Sequence, residues 1–388
     1  MPKRRKSTIR PVVALLVETS NAFSRELLHG VRDWMRAHGS WAIHLSEQGR
    51  GDQAPTWLGS WRGDGIVARI ENESIASAVR ACGLPTVNVS ASGLAPEFPA
   101  VISDSAAITQ QAATHLIERG LRHFAYCGNA RFTWSQRHGD NLVTALKGRG
   151  HSCHIFPSTP GDAANWRNEQ AKLARWLKSL PKPVGVMTCY DIRGQEVLDV
   201  CRAIGLRVPD DVAVIGQHND ELLCELCDPP LSSVMPNARR AGFEAAALLA
   251  RLMSGNSATQ NLIEIPPIGI ATRQSTDLVA VEDERLAQAM RFISEHAHEV
   301  ITVEDIARAA AISRSLLERK FRDAFGRSPW DHVMQLRLRK AEHLLFQSHL
   351  SIAEIAEVTG FGTPEYFSAA FRKLTGNSPS AARHSRPT

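Results

Sequence analysis

A chain of 388 residues is too long for one hydrophobic core, so two or three domains are expected. Its 43% hydrophobic and 22% charged residues exclude a disordered chain, and a formal net charge of +5 permits nucleic-acid binding without requiring it. Seven scattered cysteines, an odd number, are unlike the paired framework of a small secreted domain and fit a reducing, cytoplasmic setting. No apolar run approaches the ~18 residues of a membrane span, so no membrane partner is expected. Cys224 and Cys227 have CxxC spacing but no second pair or HxxxH to complete four ligands. They read as packing residues, and neither a metal nor a cofactor is expected.

Residues 1–10, MPKRRKSTIR, read as a basic solvated tail, because the apolar stretch after them is too short for a signal sequence. Residues 11–275 alternate short Val- and Ile-rich runs with amphipathic stretches, the pattern of parallel α/β units. VVALLV, GIVARI, PTVNVS, HFAYCG, VGVMTC and DVAVIG read as buried strands. Helices are predicted over Ser24 to His38, Ala106 to Arg119, Ala163 to Leu180, Gly194 to Ile204 and Arg240 to Met253. Six strands with interleaved helices predict two lobes of doubly wound sheet, with a ligand site at the carboxyl ends of the strands. Residues 276–284 form a short, partly acidic linker, and residues 285–388 are helical throughout.

The helical part contains an internal repeat: ITVEDIARAAAISRSLLERKFRDAFGRSP is echoed about fifty residues later by LSIAEIAEVTGFGTPEYFSAAFRKLTGNSP. In each copy a short helix (Val303 to Ala310, Ile352 to Thr359) precedes a tight turn and a second helix (Ser315 to Phe325, Pro364 to Leu374), the order a helix-turn-helix requires. Gly326 and Gly376 are placed to cap the second helices. With Leu317, Phe321 and Ala324 inward, Ser315, Arg319 and Arg322 face out, flanked by Glu318. With Phe367, Phe371 and Leu374 inward, Glu365, Ala369 and Arg372 face out, flanked by Ser368. For one isolated helix such a polar face reads as merely solvated; its repetition favours DNA contact. Eight basic residues between Arg314 and Lys340 (314, 319, 320, 322, 327, 337, 339, 340) concentrate positive charge where phosphates would lie.

Residues 285 to 384, and above all the run IAEIAEVTGF…YFSAAFRKLTGNSPSAAR, resemble the DNA-binding domain of the arabinose-regulator family. That resemblance implies two recognition helices entering successive major grooves of double-stranded DNA, about one helical turn apart. It makes Ser315, Glu318 and Arg319 candidate base readers in the first unit and Glu365 and Ser368 in the second. Arg322, Lys340 and Arg372 become candidates for phosphate. Ala369 stands where family members often carry a longer polar or basic side chain.

SNAFSRELLHGV, ISDSAAITQQAATHLIERGLRHFAYCG, GLRVPDDVAVIG, PPLSSV and ATRQST, in this order, resemble the sugar-binding core of the lactose and galactose repressors, itself related to periplasmic sugar-binding proteins. The combination of receptor first and arabinose-type domain last is similar to the xylose-operon regulators. The resemblance implies a periplasmic-binding-protein-like receptor whose ligand residues fall on Glu18, Asn21, Arg69, Asp104, Trp134, Arg137, Asp191, His218 and Asn219. Carboxylates, amides and an Arg fork suit sugar hydroxyls, and an aromatic face suits the C–H side of the ring. Asp104 and Asp191 also read as helix caps and Trp134 as core. His218 stands where xylose regulators and many sugar repressors carry Asp, and as an ordinary histidine it would make affinity depend on pH near 6.5. Arg69 favours a ligand with an acidic group. No P-loop, GxGxxG, HExxH or GxSxG motif is present, so an enzyme is not expected. The implied protein is a homodimeric activator of a sugar-catabolic operon that meets operator DNA, a monosaccharide effector (a pentose first) and RNA polymerase.

Overall fold

The computed structural model describes residues 10–159, 166–258, 260–277, 283–347 and 350–384. The basic tail up to residue 9, the start of the predicted helix at Ala163 and linker residues 278–282 lie outside the described residues. The chain divides between residues 278 and 279 into two compact units.

In chain order the first unit comprises β1 (Val12–Leu16), α1 (Ala22–His38), β2 (Ala42–Leu45), β3 (Gly65–Ala68), α2 (Glu73–Cys82), β4 (Thr86–Asn88), β5 (Ala100–Ser103) and α3 (Ser105–Glu118). There follow β6 (His123–Cys127), α4 (Thr133–Lys147), β7 (Cys153–Ile155), α5 (Trp166–Ser179), β8 (Val184–Thr188), α6 (Asp191–Ala203), β9 (Val212–Gln217) and α7 (Glu221–Leu226). β10 (Ser232–Met235), α8 (Ala238–Met253), β11 (Leu262–Ile265) and β12 (Gly269–Ala271) complete it. Two six-stranded sheets result, in the orders β11-β5-β4-β3-β1-β2 and β12-β10-β9-β8-β6-β7. Their pairings are parallel except for β10 with β12. All six strands read from apolar runs are present, and six more join them.

The central strands are buried along almost their whole length because helices cover both faces of each sheet. The chain passes between the sheets three times: through α3, through α8, and from β11 to β12. α8 thus returns from the second lobe to pack on α1 of the first. Gly30 and Gly242 make that approach possible, since a Cβ on Gly242 would lie 1.9 Å from the Leu27 carbonyl oxygen and one on Gly30 equally close to that of Arg239. Cys224 and Cys227 sit as free thiols in the apolar core of the second lobe, where burial pushes the Cys227 thiol up to about 11.

The second unit contains α9 (Glu284–His296), α10 (Val303–Ala309), α11 (Arg314–Phe325), α12 (Pro329–Gln347), α13 (Ile352–Val358), α14 (Pro364–Thr375) and α15 (Pro379–His384). Thr302 with Asp305, and Ser351 with Glu354, close capping boxes at the starts of α10 and α13. Gly326 and Gly376 end α11 and α14 in the left-handed conformation. Two small cores, one around Leu317 and Phe321 and one around Phe367 and Phe371, share Trp330 of α12. Ala324, expected inward, is exposed: Leu317 and Phe321 carry the inner face, and one more full turn leads to Phe325.

The first helix-turn-helix turn places Ala311 at φ 52°, where the second turn has Gly360 at φ 80°. A Cβ strains this backbone by about 1–2 kcal/mol. Ala311→Gly is therefore expected to stabilise the helical unit by about 0.5–1 kcal/mol after glycine's greater unfolded-state freedom is subtracted. The denaturant midpoint of that unit checks it, and an unchanged or lower midpoint contradicts it.

Candidate functional site

The two lobes of the first unit meet at the carboxyl ends of their strands. A cavity of about 470 Å³ lies there, lined by Asn21, Arg50, Glu71 and Asn72 from the first lobe and by Phe132 and Tyr190 from the second. A smaller space of about 40 Å³ lies among Arg69, Ser103, Trp134, His138, Gln217 and His218. The lobes touch across the cleft: Thr133 donates to the Ser92 carbonyl at 2.8 Å, and the rings of Phe23 and His218 are 4.9 Å apart.

Polar groups in the cleft are of two kinds. Some satisfy one another. The Arg69 guanidinium binds Glu71 Oε1 through Nε and Nη2, both at 2.6 Å, and lies 3.7 Å from Glu18. Glu18 also accepts from the Asn21 side chain and the Ser24 hydroxyl, each at 2.9 Å. Burial alone would raise the Glu18 carboxyl, but Arg69, Arg50 and these hydrogen bonds hold it below the usual range. His138 is fixed by Ser105 at 2.7 Å and Gln217 at 3.2 Å. Others are buried with no hydrogen-bond partner among the described residues: Arg50 Nε and Nη1, Glu71 Oε2, Ser103 Oγ, Trp134 Nε1 and Gln217 Oε1. Donors and acceptors left unpaired in a cleft are what a polar ligand would satisfy.

His218 and Asn219 adopt positive φ, 101° and 51°, an uncommon strain for non-glycine residues. The surroundings hold them there. His218 N donates to Val234 O at 3.1 Å, Asn219 N to Ser233 Oγ at 3.0 Å and Asp220 N to Asp191 Oδ2 at 2.8 Å, while Arg273 donates to the Asn219 side chain at 2.9 Å. Burial, with Arg50, Arg69 and His138 adding to it, drives His218 well below the ordinary histidine value. An imidazole in these surroundings titrates below the 6.5 expected from the sequence.

The structure brings Glu18, Asn21, Arg69, Trp134 and His218 together. It places the other predicted ligand residues elsewhere. Asp104 caps α3 by accepting from Ala107 N at 2.9 Å. Arg137 is exposed, and its neighbour His138 lines the cleft instead. Asp191 lies beneath the strained turn with both carboxylate oxygens engaged, by Asp220 N and by the Ser233 hydroxyl at 2.6 Å. The Asn219 amide oxygen is taken by Arg273. Sequence reasoning missed Arg50, Glu71, His138, Tyr190 and Gln217. Tyr190 precedes Asp191 at the same strand end and Glu71 follows Arg69 by two residues, so the strand ends were the usable signal.

In the helical unit, Ser315, Arg319 and Arg322 are exposed along α11, and Glu365, Ala369 and Arg372 along α14, with Ser368 half-buried. The side chains of Arg319, Arg322 and Arg372 have no hydrogen bond or ion pair among the described residues. Glu318 is engaged by Arg314 at 2.9 Å, and Arg314 reaches Glu304 as well. The basic cluster is less available than its sequence suggests. Lys320 pairs with Asp283, Arg327 binds Gln335, and Arg337 is buried, donating to the carbonyls of Ala297 at 2.6 Å and Glu299 at 2.7 Å. Lys340 is half-buried, which lowers its ammonium. Long cations on a small helical unit find carboxylates and carbonyls of their own, so charge counted along the chain overstates the phosphate surface. The Arg339 side chain lies outside the described residues.

Family models match in three stretches: an N-terminal domain of xylose regulators over residues 12–105, a periplasmic binding protein-like domain over 113–276 and a helix-turn-helix domain over 306–385. The xylose operon regulatory protein of Escherichia coli K12 is 33% identical over 97% of both chains. That of Haemophilus influenzae is 30% identical, covering 93% of this chain and 95% of its own. A solved xylose-binding transcription activator superposes with a TM-score of 0.76 at 30% identity, over 97% of this chain and 98% of its own. Full-length similarity at this level, with a two-sheet receptor and paired helix-turn-helix units in the same order, establishes that the chain belongs to the family of xylose operon regulatory proteins, DNA-binding regulators of transcription.

Proposed function

We propose that this regulator activates a sugar-catabolic operon in response to a monosaccharide bound between the lobes of its first unit. The observation that carries the reading is the set of unpartnered polar atoms on Arg50, Glu71, Ser103, Trp134 and Gln217, facing a cleft walled by Phe132, Trp134 and Tyr190. Hydroxyls supply the missing donors and acceptors, and aromatic faces take the C–H side of a sugar ring. Glu18, Asn21, Arg69 and His218 complete the set; Asp191 and Asn219 shape it from behind by holding the strained turn. Pentoses are the first ligands to test, xylose among them, because the relatives are regulators named for xylose.

Ligand binding shifts the population of receptor conformations towards closed lobes and couples that shift to operator affinity. The active species is a homodimer in the cytoplasm, reading two half-sites of double-stranded DNA and contacting RNA polymerase. No helix among the described residues is long and apolar enough to cross a membrane. A thermal-shift screen of pentoses, hexoses and uronic acids on the purified chain tests the effector class. Stabilisation by one or a few monosaccharides is expected, rising as RT ln(1 + [L]/Kd); no shift with any sugar at millimolar concentration contradicts the reading.

A further inference from the structure

We infer that Arg50 is a ligand-contacting, specificity-determining residue, which selects a neutral ring bearing separate hydroxyls over a sugar acid. The inference rests on the cleft being the sugar site and names the chemistry that site prefers. Arg50 follows β2 in the first lobe, yet its guanidinium carbon lies 4.5 Å from the ring centre of Tyr190, 5.8 Å from Trp134 and 5.9 Å from Phe132, all in the second lobe. A flat cation stacked on aromatic faces is fixed in position and orientation before any ligand arrives. Arg50 lines the larger cavity beside Tyr190, and its neighbour Trp134 lines the smaller space.

Its hydrogen-bonding capacity is unspent. Nε and Nη1 are buried without partners, and in the same cavity Glu71 Oε2 is buried without a donor, its other oxygen being held by Arg69. Nε and Nη1 lie on different edges of the guanidinium, so one carboxylate pairs with only one of them. Two hydroxyl oxygens at different ring positions satisfy both, and a hydroxyl proton satisfies Glu71. A ligand carboxylate offers Glu71 no proton and adds a third negative charge beside Glu71 and Glu18. Arg69, expected from the sequence to favour an acidic ligand, is already neutralised by those two carboxylates. Because Arg50 and its aromatic platform come from different lobes, reading the ligand and holding the lobes together are one act.

The test uses the full chain, calorimetric titration with xylose, arabinose, ribose, glucose, galactose, glucuronate and galacturonate, and intrinsic tryptophan fluorescence as a second readout of binding. The parent is expected to bind a neutral sugar at least tenfold more tightly than either uronate. Arg50→Met, which keeps the bulk and removes the donors, should weaken that sugar at least tenfold. Arg50→Lys should recover little of the loss, because an ammonium lacks the planar fork. Tyr190→Leu, which leaves every charge in place, should weaken the same sugar and serves as the check if Arg50→Met misfolds. Parent-like affinity in Arg50→Met or in Tyr190→Leu, or tighter binding of a uronate, overturns the inference while leaving the sugar receptor intact. Failure of the parent to bind any of the seven overturns the sugar reading and the inference with it.

Discussion

Arg319→Ala is expected to weaken operator binding by about 1–3 kcal/mol and to relax sequence preference at one base pair, the effect of losing one bidentate contact to guanine. The Arg319 side chain projects from the exposed face of α11 with no partner among the described residues, whereas its neighbour Glu318 is held by Arg314. Free guanidinium donors on a recognition helix suit the N7 and O6 acceptors of guanine in the major groove. The matching position on α14 is Ala369, which has no hydrogen-bonding group and offers a thymine methyl at most an apolar contact. On this account the second unit is expected to hold the duplex mainly through Arg372, also exposed and with no side-chain partner among the described residues, and base reading there is expected of Glu365 and Ser368. Arg372→Ala should accordingly weaken all sequences alike and lower the salt slope by about one unit. Competition binding against a randomised operator library separates the two. Equal, sequence-independent losses in both variants would assign Arg319 to phosphate alone.

Asp191→Asn is expected to gain stability over the parent as pH rises from 5 to 8.5. Burial raises the Asp191 carboxyl to about 7; the Ser233 and Asp220 N–H hydrogen bonds oppose it, while the charge of Asp220 adds to it. The unfolded carboxyl titrates near 3.8. A carboxyl raised on folding contributes its stability in full below the unfolded value and loses it as pH climbs through the folded one. Above about 7 the parent carries a buried carboxylate that the asparagine variant does not. Asparagine accepts from Asp220 N and donates to Ser233, so the strained turn bearing His218 survives. The relative gain is on the order of 2–4 kcal/mol, from roughly 1.4 kcal/mol per unit of pKa. Denaturant unfolding at pH 5, 7 and 8.5 measures it, and a parent–variant difference constant across that range contradicts it. His218 is common to parent and variant, so its contribution cancels from the difference between them.

The strands that sequence exposes are those buried on both faces, such as Val184–Thr188 and Val212–Gln217, where every residue is covered and apolar residues predominate. β2 and β7 are sheet edges with exposed positions, and β10 begins with Ser232 and Ser233, polar but fully buried. Their hydroxyls bond to Arg273, Thr276 and Asp191, which no local pattern announces. The cleft was legible as strand ends and not as side chains. Where extended Tyr190 gives way to Asp191, the first residue of α6, and in the first turns of α4 at Arg137 and His138, a shift of one residue decides which group faces the cleft. The charged member of each pair attracted attention, and the aromatic or imidazole member lines the cavity. Arg50 was invisible for another reason. Its loop carries no motif, and its partners arrive from the other lobe, over eighty residues later.

The central claim is that a sugar in the cleft controls DNA binding by the helical unit. Fluorescence anisotropy of a labelled operator, titrated with the full chain with and without the monosaccharide that stabilises the receptor most, tests it directly. Coupling of about 1–3 kcal/mol predicts a 5- to 150-fold change in operator affinity, abolished when the cleft no longer binds the sugar. Operator affinity that stays the same from zero to saturating sugar would contradict the account.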